Sequence, residues 1–522
     1  MAKKDPAIVA MEKEIDVEIV RSDLRKERAP QAIWSLLSVI DNGHFKDMME
    51  GERVQFRHGN HTQIISLPLR CFLSNDKKFA GGPVDLSRAL DTQAMALDWL
   101  NRCQDYRGFE ALLPLWHRDK ITLRLEGNRL LCEDTEPGDP YDAYNATIGD
   151  EGTPIEDQRH EISVQALAPH LTRSVQRIGK DSYTVVPTPE MIREFSKAVP
   201  ESGWSLPEEW DFGDFRLGEF KRIYIAIRAL ALIWLVARVV SWHKKVYMIS
   251  GICQLEFSVV KNLIHRATEI SCPAVDAVCE LLTFGSLGIL VPDATLQPLL
   301  VTETNQCFIA PILLLHTAPE NNLCGLVNRV PRYRAIYSKL SNEKETLMFR
   351  EARMRLEALG LEVNSGEIDG TNIDLAITEH ATKACLCVEL KWFISPTSIG
   401  ECHLRGLELA VGIRQAKKIS LARSALQPSL VRLTNIVKTY DFLAIVASMN
   451  WIGNSEHQDP DVPMVKFRHL LEKLEAFGVI GTIQWLRNRD YLPAKDVDFE
   501  CFELDVKCGR WESKWGGLRR IE

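Results

Sequence analysis

The run Cys385-Leu386-Cys387-Val388-Glu389-Leu390-Lys391-Trp392 is apolar enough for a buried strand, yet it carries a carboxylate and an ammonium two residues apart. Alternate residues of a strand share a face, so Glu389 and Lys391 project the same way, about 7 Å apart, while Leu386, Val388 and Leu390 enter the opposite layer. A buried ion pair is often no more stabilising than an apolar substitute, so burial alone gives no reason to keep both charges. A metal does. Fifteen residues before Glu389, Asp374 is the lone acid of "NIDLAI", and the intervening "TEHATKA" has the polar character of a hairpin connection. Adjacent antiparallel strands would bring the two carboxylates together. Paired oxygen ligands of this kind hold Mg2+, which keeps several waters and takes one or two protein carboxylates plus substrate phosphate. Lys391 can then act on the water.

Positioning these groups requires a particular set of elements. The pattern predicts a helix over Ser341 to Leu359 and strands over Leu361 to Val363, Asn372 to Ile377 and Ala384 to Phe393. It continues with a helix over Cys402 to Ala422, a strand over Tyr440 to Ala447, a helix over Lys466 to Phe477 and a strand over Val479 to Trp485. The expected order is αβββαβαβ.

"ID" on one strand followed by "ELK" on the next, within this order, resembles the PD-(D/E)XK nuclease superfamily over roughly residues 340 to 490. The resemblance implies a mixed α/β fold with a restriction-endonuclease-like αβββαβ core in the C-terminal part. It implies that Asp374 and Glu389 ligate Mg2+, with Mn2+ able to substitute, and that the main-chain carbonyl of Leu390 completes the site. Lys391 would orient or activate the attacking water and stabilise developing charge. Ile373 stands where the family name has proline, a replacement the family tolerates. Two literal Pro-Asp pairs, Pro292-Asp293 and Pro460-Asp461, lie upstream and downstream of where the motif requires them.

The family often adds an acid on the first helix. Glu345 shares a helical face with Phe349, Ala352, Leu356 and Leu359, whereas Glu351 falls away from it, so Glu345 is preferred. Its alternative role is a first-turn acid favoured by the helix dipole. In "GIRQAKKIS", Gln415 matches a glutamine that approaches the site in some members. From Leu409 to Tyr440 there is no acid, while Arg414, Lys417, Lys418, Arg423, Arg432 and Lys438 supply six positive charges. Arg414, Lys417, Lys418 and Arg423 are the candidate phosphate contacts, the alternative being a solvated helix face.

Other polar residues have plainer readings. Glu367 and Asp369 in "SGEIDGTN" fit a turn. Cys385 and Cys387 share the face of Glu389 but lack a matching Cys/His pair, so they read as core. Cys253, His265, Cys272 and Cys279 fit no zinc spacing, and His403 reads as a surface residue at a helix start. No phosphate-loop, HExxH or GxSxG pattern occurs, which removes support for those enzyme classes.

With 45% hydrophobic and 26% charged residues over 522 positions, the composition is that of an ordinary globular protein. A formal charge of -8 argues against polyanion binding by the whole surface. Thirteen cysteines without a CxxC pair suit reduced thiols in the cytoplasm. The charged N-terminus lacks a secretory signal. Ile223 to Val240 is the longest apolar run, but Arg228 and Arg238 make it a buried helix rather than a membrane span.

Four regions are expected: an α+β region over 1–200 with a strand-like run at Gln63 to Leu69, and a helix-rich module over 201–335. The nuclease-like domain over 340–490 and an extension over 491–522 follow. Asp134 to Arg159 and Pro187 to Gly213 read as loops, the second anchored by Trp204 and Trp210. Leu217 to Lys245 reads as a long helix, and "GILVPDATLQPLLV" as two strand-like runs about a Pro-Asp, hence a β-hairpin. The expected function is a Mg2+-dependent endonuclease, acting on DNA more than RNA, with recognition or regulation by the N-terminal region. Defence, restriction and mobile-element proteins share that plan by family analogy. Expected partners are nucleic acid and a second copy or partner protein through the N-terminal region, with no membrane. The alternatives are an inactive nucleic-acid-binding or assembly protein of the same fold, and an RNase.

Overall fold

The computed structural model describes residues 4–521 apart from 51–63, 75–77, 133–137, 150–151, 153–163, 172–174, 178–182, 200–203, 244–250, 316, 318, 395 and 397–398. It is a mixed α/β protein of two compact units. The first comprises Met1–Phe109, His160–Ser338 and Val506–Glu512, and the second Glu110–Arg159, Lys339–Asp505 and Ser513–Glu522. The break expected near 335–340 falls at Ser338. The division expected at 200 is not a unit boundary, because the helix Leu217–His243 packs on the helix Pro189–Ser196 before it. It also binds the helix Ala29–Glu50, where Arg238 donates to Asp41 Oδ2 at 2.8 Å and to Asn42 Oδ1 at 2.7 Å.

In the first unit, Leu217–Trp242 has the length and hydropathy of a membrane span, and its span window is wholly buried inside the protein. Its two buried arginines are held by polar groups, Arg238 as above and Arg228 by the carbonyl of Leu315 at 3.0 Å. The strand-like run ending at Leu69 is helical over Ser66–Arg70, while Gln63 lies outside the described residues. Gly288 to Val291 forms no strand, and Leu290 and Val291 are exposed; a hairpin forms instead between Leu300–Val301 and Gln306–Ile309. The passage from Pro187 is not all loop. Thr188 caps Pro189–Ser196, with proline at the first helical turn. Trp210 is buried and Trp204 packs edge-on against Phe220.

The second unit centres on a five-stranded sheet. Helix α1 (Lys344–Glu357) leads to β1 (Glu362–Ile368), β2 (Thr371–Glu379) and β3 (Ala384–Trp392). Helices α2 (Ile399–Ser424) and α3 (Pro428–Thr434), strands β4 (Asp441–Met449) and β5 (Met464–Lys466), and helix α4 (Phe467–Asn488) follow. The strand order is β5-β4-β3-β2-β1, antiparallel from β1 to β3 and parallel from β3 to β5. Helices α2 and α3 cover one face, while α1 and α4 pack on each other and on the sheet. Lys344 over the Trp392 ring fixes α1 on the face opposite Lys391.

Two expectations fail at the end of this domain. Val479 to Trp485 is helical, not a strand: Val479, Thr482, Ile483 and Leu486 are buried at helical spacing, and Gly478 at φ 64° joins them to the preceding helix through a kink. The last strand comes earlier, as the three-residue β5 behind Pro463. Residues outside 340–490 also belong to this unit. Within Asp134 to Arg159 the helix Pro140–Thr147 bonds Tyr144 Oη to His469 Nδ1 at 2.7 Å. Leu123–Glu126 and Arg129–Cys132 belong to this unit too, with the parts of the C-terminal strands Phe499–Cys508 and Trp511–Arg520 that lie outside Val506–Glu512.

Candidate active site

Strand β3 runs through the middle of the sheet with Ala384 to Leu390 all buried. Its ladder with β2 runs as far as Val388 opposite Leu375, and Glu389 and Asp374 are the next residues of the two strands. Directly opposed residues share a face, so both carboxylates turn toward α2. There the helix passes so close that a Cβ on Gly412 would lie 3.4 Å from both Glu389 Cγ and Lys391 Cε. Any bulkier residue at 412 would fill the space beside the acid.

Beyond Val388 the Asp374 side chain takes over from the ladder: its Oδ2 accepts the Leu390 N–H at 2.9 Å. Its Oδ1 accepts from Asn372 Nδ2 at 2.7 Å, and Asn372 Oδ1 in turn accepts from Gln415 Nε2 at 3.5 Å. Glu389 is 1% exposed. Its Oε1 accepts from Lys391 Nζ at 2.8 Å, and its Oε2 is buried without a hydrogen-bond partner. Lys391 Nζ also lies 3.5 Å from Glu345 Oε1 at the start of α1. The geometry therefore assembles Glu345, Asp374, Glu389 and Lys391, with Gln415 reaching the group through Asn372.

Glu389 and Glu345 share one amine, and their proton affinities record it. Burial, then the negative charge of Asp374, outweigh Lys391 and push the Glu389 carboxyl up to about 7. Burial also raises Glu345, with Lys391 opposing. Burial works against the Lys391 ammonium, but Glu389, Glu345 and Asp374 hold its pKa above the ordinary lysine value. Lysine is the charged partner here. An unbalanced buried carboxylate costs several kcal/mol, roughly, so this corner is unfavourable until more positive charge arrives.

A divalent ion fits that deficit. Among the described residues no three His, Cys, Asp or Glu side chains converge as a ready cage. Mg2+ needs only one or two protein carboxylates and takes water and phosphate for the rest. Asp374 and the orphaned oxygen of Glu389 are the two carboxylates that would face such an ion. The Leu390 carbonyl leaves the strand on the same edge as its N–H, toward Asp374.

The other candidates go elsewhere. Glu351 is bonded to Arg468 at 3.1 Å. Glu367 and Asp369 sit exposed at the β1–β2 turn, and Cys385 and Cys387 are core. Cys253 and Cys279 are buried, Cys272 is exposed, and His265 bonds the Ile270 carbonyl. His403 lies inside α2. The basic stripe breaks up as well. Arg423 donates to the carbonyls of Val437, Lys438 and Tyr440 at 2.9–3.2 Å, so it braces a loop, and Lys417 is 2.6 Å from Asp459. Arg414 and Lys418 remain exposed. Asn372 was not singled out by sequence; its one signal is its position two residues before Asp374, on the same strand face. Comparison with protein-family models, curated proteins and solved structures finds no match to the chain.

Proposed function

We propose that the second unit is a Mg2+-dependent nuclease of the PD-(D/E)XK type that hydrolyses phosphodiester bonds, in DNA more than RNA, and that the first unit serves recognition or regulation. One observation carries the reading: Lys391 meets Glu389 and Glu345, Asp374 stands beside them on the neighbouring strand, and a buried oxygen of Glu389 is left without a hydrogen-bond partner. The succession α1-β1-β2-β3-α2-β4 supports it, with "ID" on β2 and "ELK" on β3. The preference for DNA rests on the family resemblance.

When bound, the divalent ion supplies charge neutralisation at the scissile phosphate. Asp374, aimed by the Leu390 amide and Asn372, holds a fixed acceptor orientation. Glu389 would hold the ion beside Asp374 through its orphaned oxygen. Lys391 would place its ammonium against the phosphate oxygens and orient the attacking water. Glu345 keeps that ammonium protonated and in place.

The test incubates the full chain with supercoiled, linear and single-stranded DNA and with RNA, in Mg2+, Mn2+ or EDTA. Metal-dependent cleavage should appear and vanish in the combined Asp374→Ala, Glu389→Ala, Lys391→Ala variant. Cleavage that persists in that variant, or wild-type protein that binds no divalent ion by calorimetry, overturns the proposal. In the latter case salt-sensitive DNA binding dependent on Arg414 and Lys418 would identify a non-catalytic binding protein.

A further inference from the structure

The outward face of α2 is unlike that of most surface helices. Leu404, Leu407, Val411 and Leu421 are 59%, 56%, 44% and 69% exposed. Together with Arg414 and Lys418 they recur in alternating steps of three and four residues, the a/d spacing of a coiled-coil seam. The inward face is also apolar and buries Leu409, Ala416 and Ile419 against the sheet. A helix apolar on both sides has a second partner for its outer stripe. Charge is uneven along its length: Glu401, Arg405 and Glu408 lie in the first half, with Arg405 2.6 Å from Glu408, and no acid follows Glu408 until Asp441. Arg414, Lys417 and Lys418 lie in the second half.

We infer that α2 packs antiparallel against α2 of a second copy of this chain, about a two-fold axis passing near residues 412 and 413. Charge complementarity sets both the occupant and the direction. Parallel pairing would stack Arg414 on Arg414 and Lys418 on Lys418. Antiparallel pairing brings Leu404 opposite Leu421 of the second copy, and Glu408 beside Lys418 of the second copy. The stems of Arg414 and Lys418 then cover Val411 and Leu407 across the seam, with their charged ends at its rim. Nucleic acid fits less well, since four exposed aliphatic side chains lie in line with only two unengaged cations. A single helix pair buries little area, so the dimer is weak, with a dissociation constant on the order of micromolar. The inference does not depend on the nuclease reading. Where both hold, the dimer presents two sites related by two-fold symmetry.

Sedimentation velocity of the full chain across a concentration series tests it without reference to cleavage. The wild type should show a monomer–dimer equilibrium, and Leu407→Glu should weaken it at least about tenfold, as expected for a charge placed in an apolar seam. The position is exposed, so circular dichroism and urea unfolding should match the wild type. Glu408→Lys and Lys418→Glu should each weaken the dimer, and the double variant should restore it. Mixing Leu404→Cys with Leu421→Cys should give a disulfide-linked dimer that neither variant yields alone. A wild type that stays monomeric overturns the inference, as does a dimer indifferent to Leu407→Glu. A monomer whose nucleic-acid affinity falls on Arg414→Ala assigns the face to nucleic acid and overturns it too.

Discussion

Each unit buries an acid beside a base, and the two pairs are built to opposite ends. In the first, Asp41 meets Arg238 at 2.8 Å, takes the Gly251 N–H at 3.2 Å, and the guanidinium lies 4.0 Å from the Phe45 ring centre. One acid faces one base beside an aromatic ring and an amide, although Asp41 Oδ1, like Glu389 Oε2, is buried without a hydrogen-bond partner. In the second, Glu389 meets Lys391 at 2.8 Å, but Asp374 and Glu345 press on the same amine, which is 17% exposed. Burial raises the proton affinity of both Asp41 and Glu389. Proximity of opposite charges therefore does not distinguish a brace from a reactive site. The balance of charge around the pair does.

Substitution gives the sharpest contrast. Glu389→Gln should reduce cleavage roughly a thousandfold, as loss of a group that stabilises developing charge does, without lowering urea stability. Asp41→Ala should cost about 3 kcal/mol in urea unfolding by stranding Arg238, with cleavage per folded molecule unchanged within about twofold. Equal destabilisation by the two variants would erase the distinction.

Linkage gives the next effect. With the Glu389 pKa near 7 in the fold against 4.5 ordinarily, the folded chain retains a proton that the unfolded chain releases. Stability from this group is therefore full below about pH 4.5 and lost as pH rises through 7, a change of about 3 kcal/mol relative to Glu389→Gln. Parallel pH profiles for the two proteins would contradict the burial of Glu389. Ion binding must displace the same proton, so Mn2+ affinity measured by calorimetry should fall about tenfold per pH unit below 7. The smallest effect concerns Asn372. Asn372→Ala should weaken Mn2+ binding about tenfold by releasing Asp374 Oδ1, while an unchanged affinity would leave Asn372 a bystander.

Asp374, Glu389 and Lys391 were legible because each interrupts an apolar strand, where an unexplained charge is conspicuous. Helical phase did not mark Glu345: it stands one residue off the buried Lys344, Met348, Ala352 and Leu356 stripe, and Leu359 of the expected stripe is exposed. Arg423 could not be read, since its partners are main-chain carbonyls that sequence does not display. The helix after Gly478 was hidden by a β-branched run, although its buried positions recur every three to four residues. The sheet made with Leu123–Glu126 and Arg129–Cys132 was harder still. The Gly127-Asn128 pair between those strands marks the local turn, but pairing with the C-terminal strand is a long-range choice with no local trace.

The chain passes between the two units several times, and this limits what a fragment can inherit. A piece beginning at residue 339 would encode all four groups of the acid–lysine cluster. It would lack Tyr144, whose hydroxyl meets His469, and Ile148, whose carbonyl receives the Lys466 ammonium. Two polar groups would lose their partners inside the severed body. A single crossover in the gene therefore cannot transplant the second unit intact.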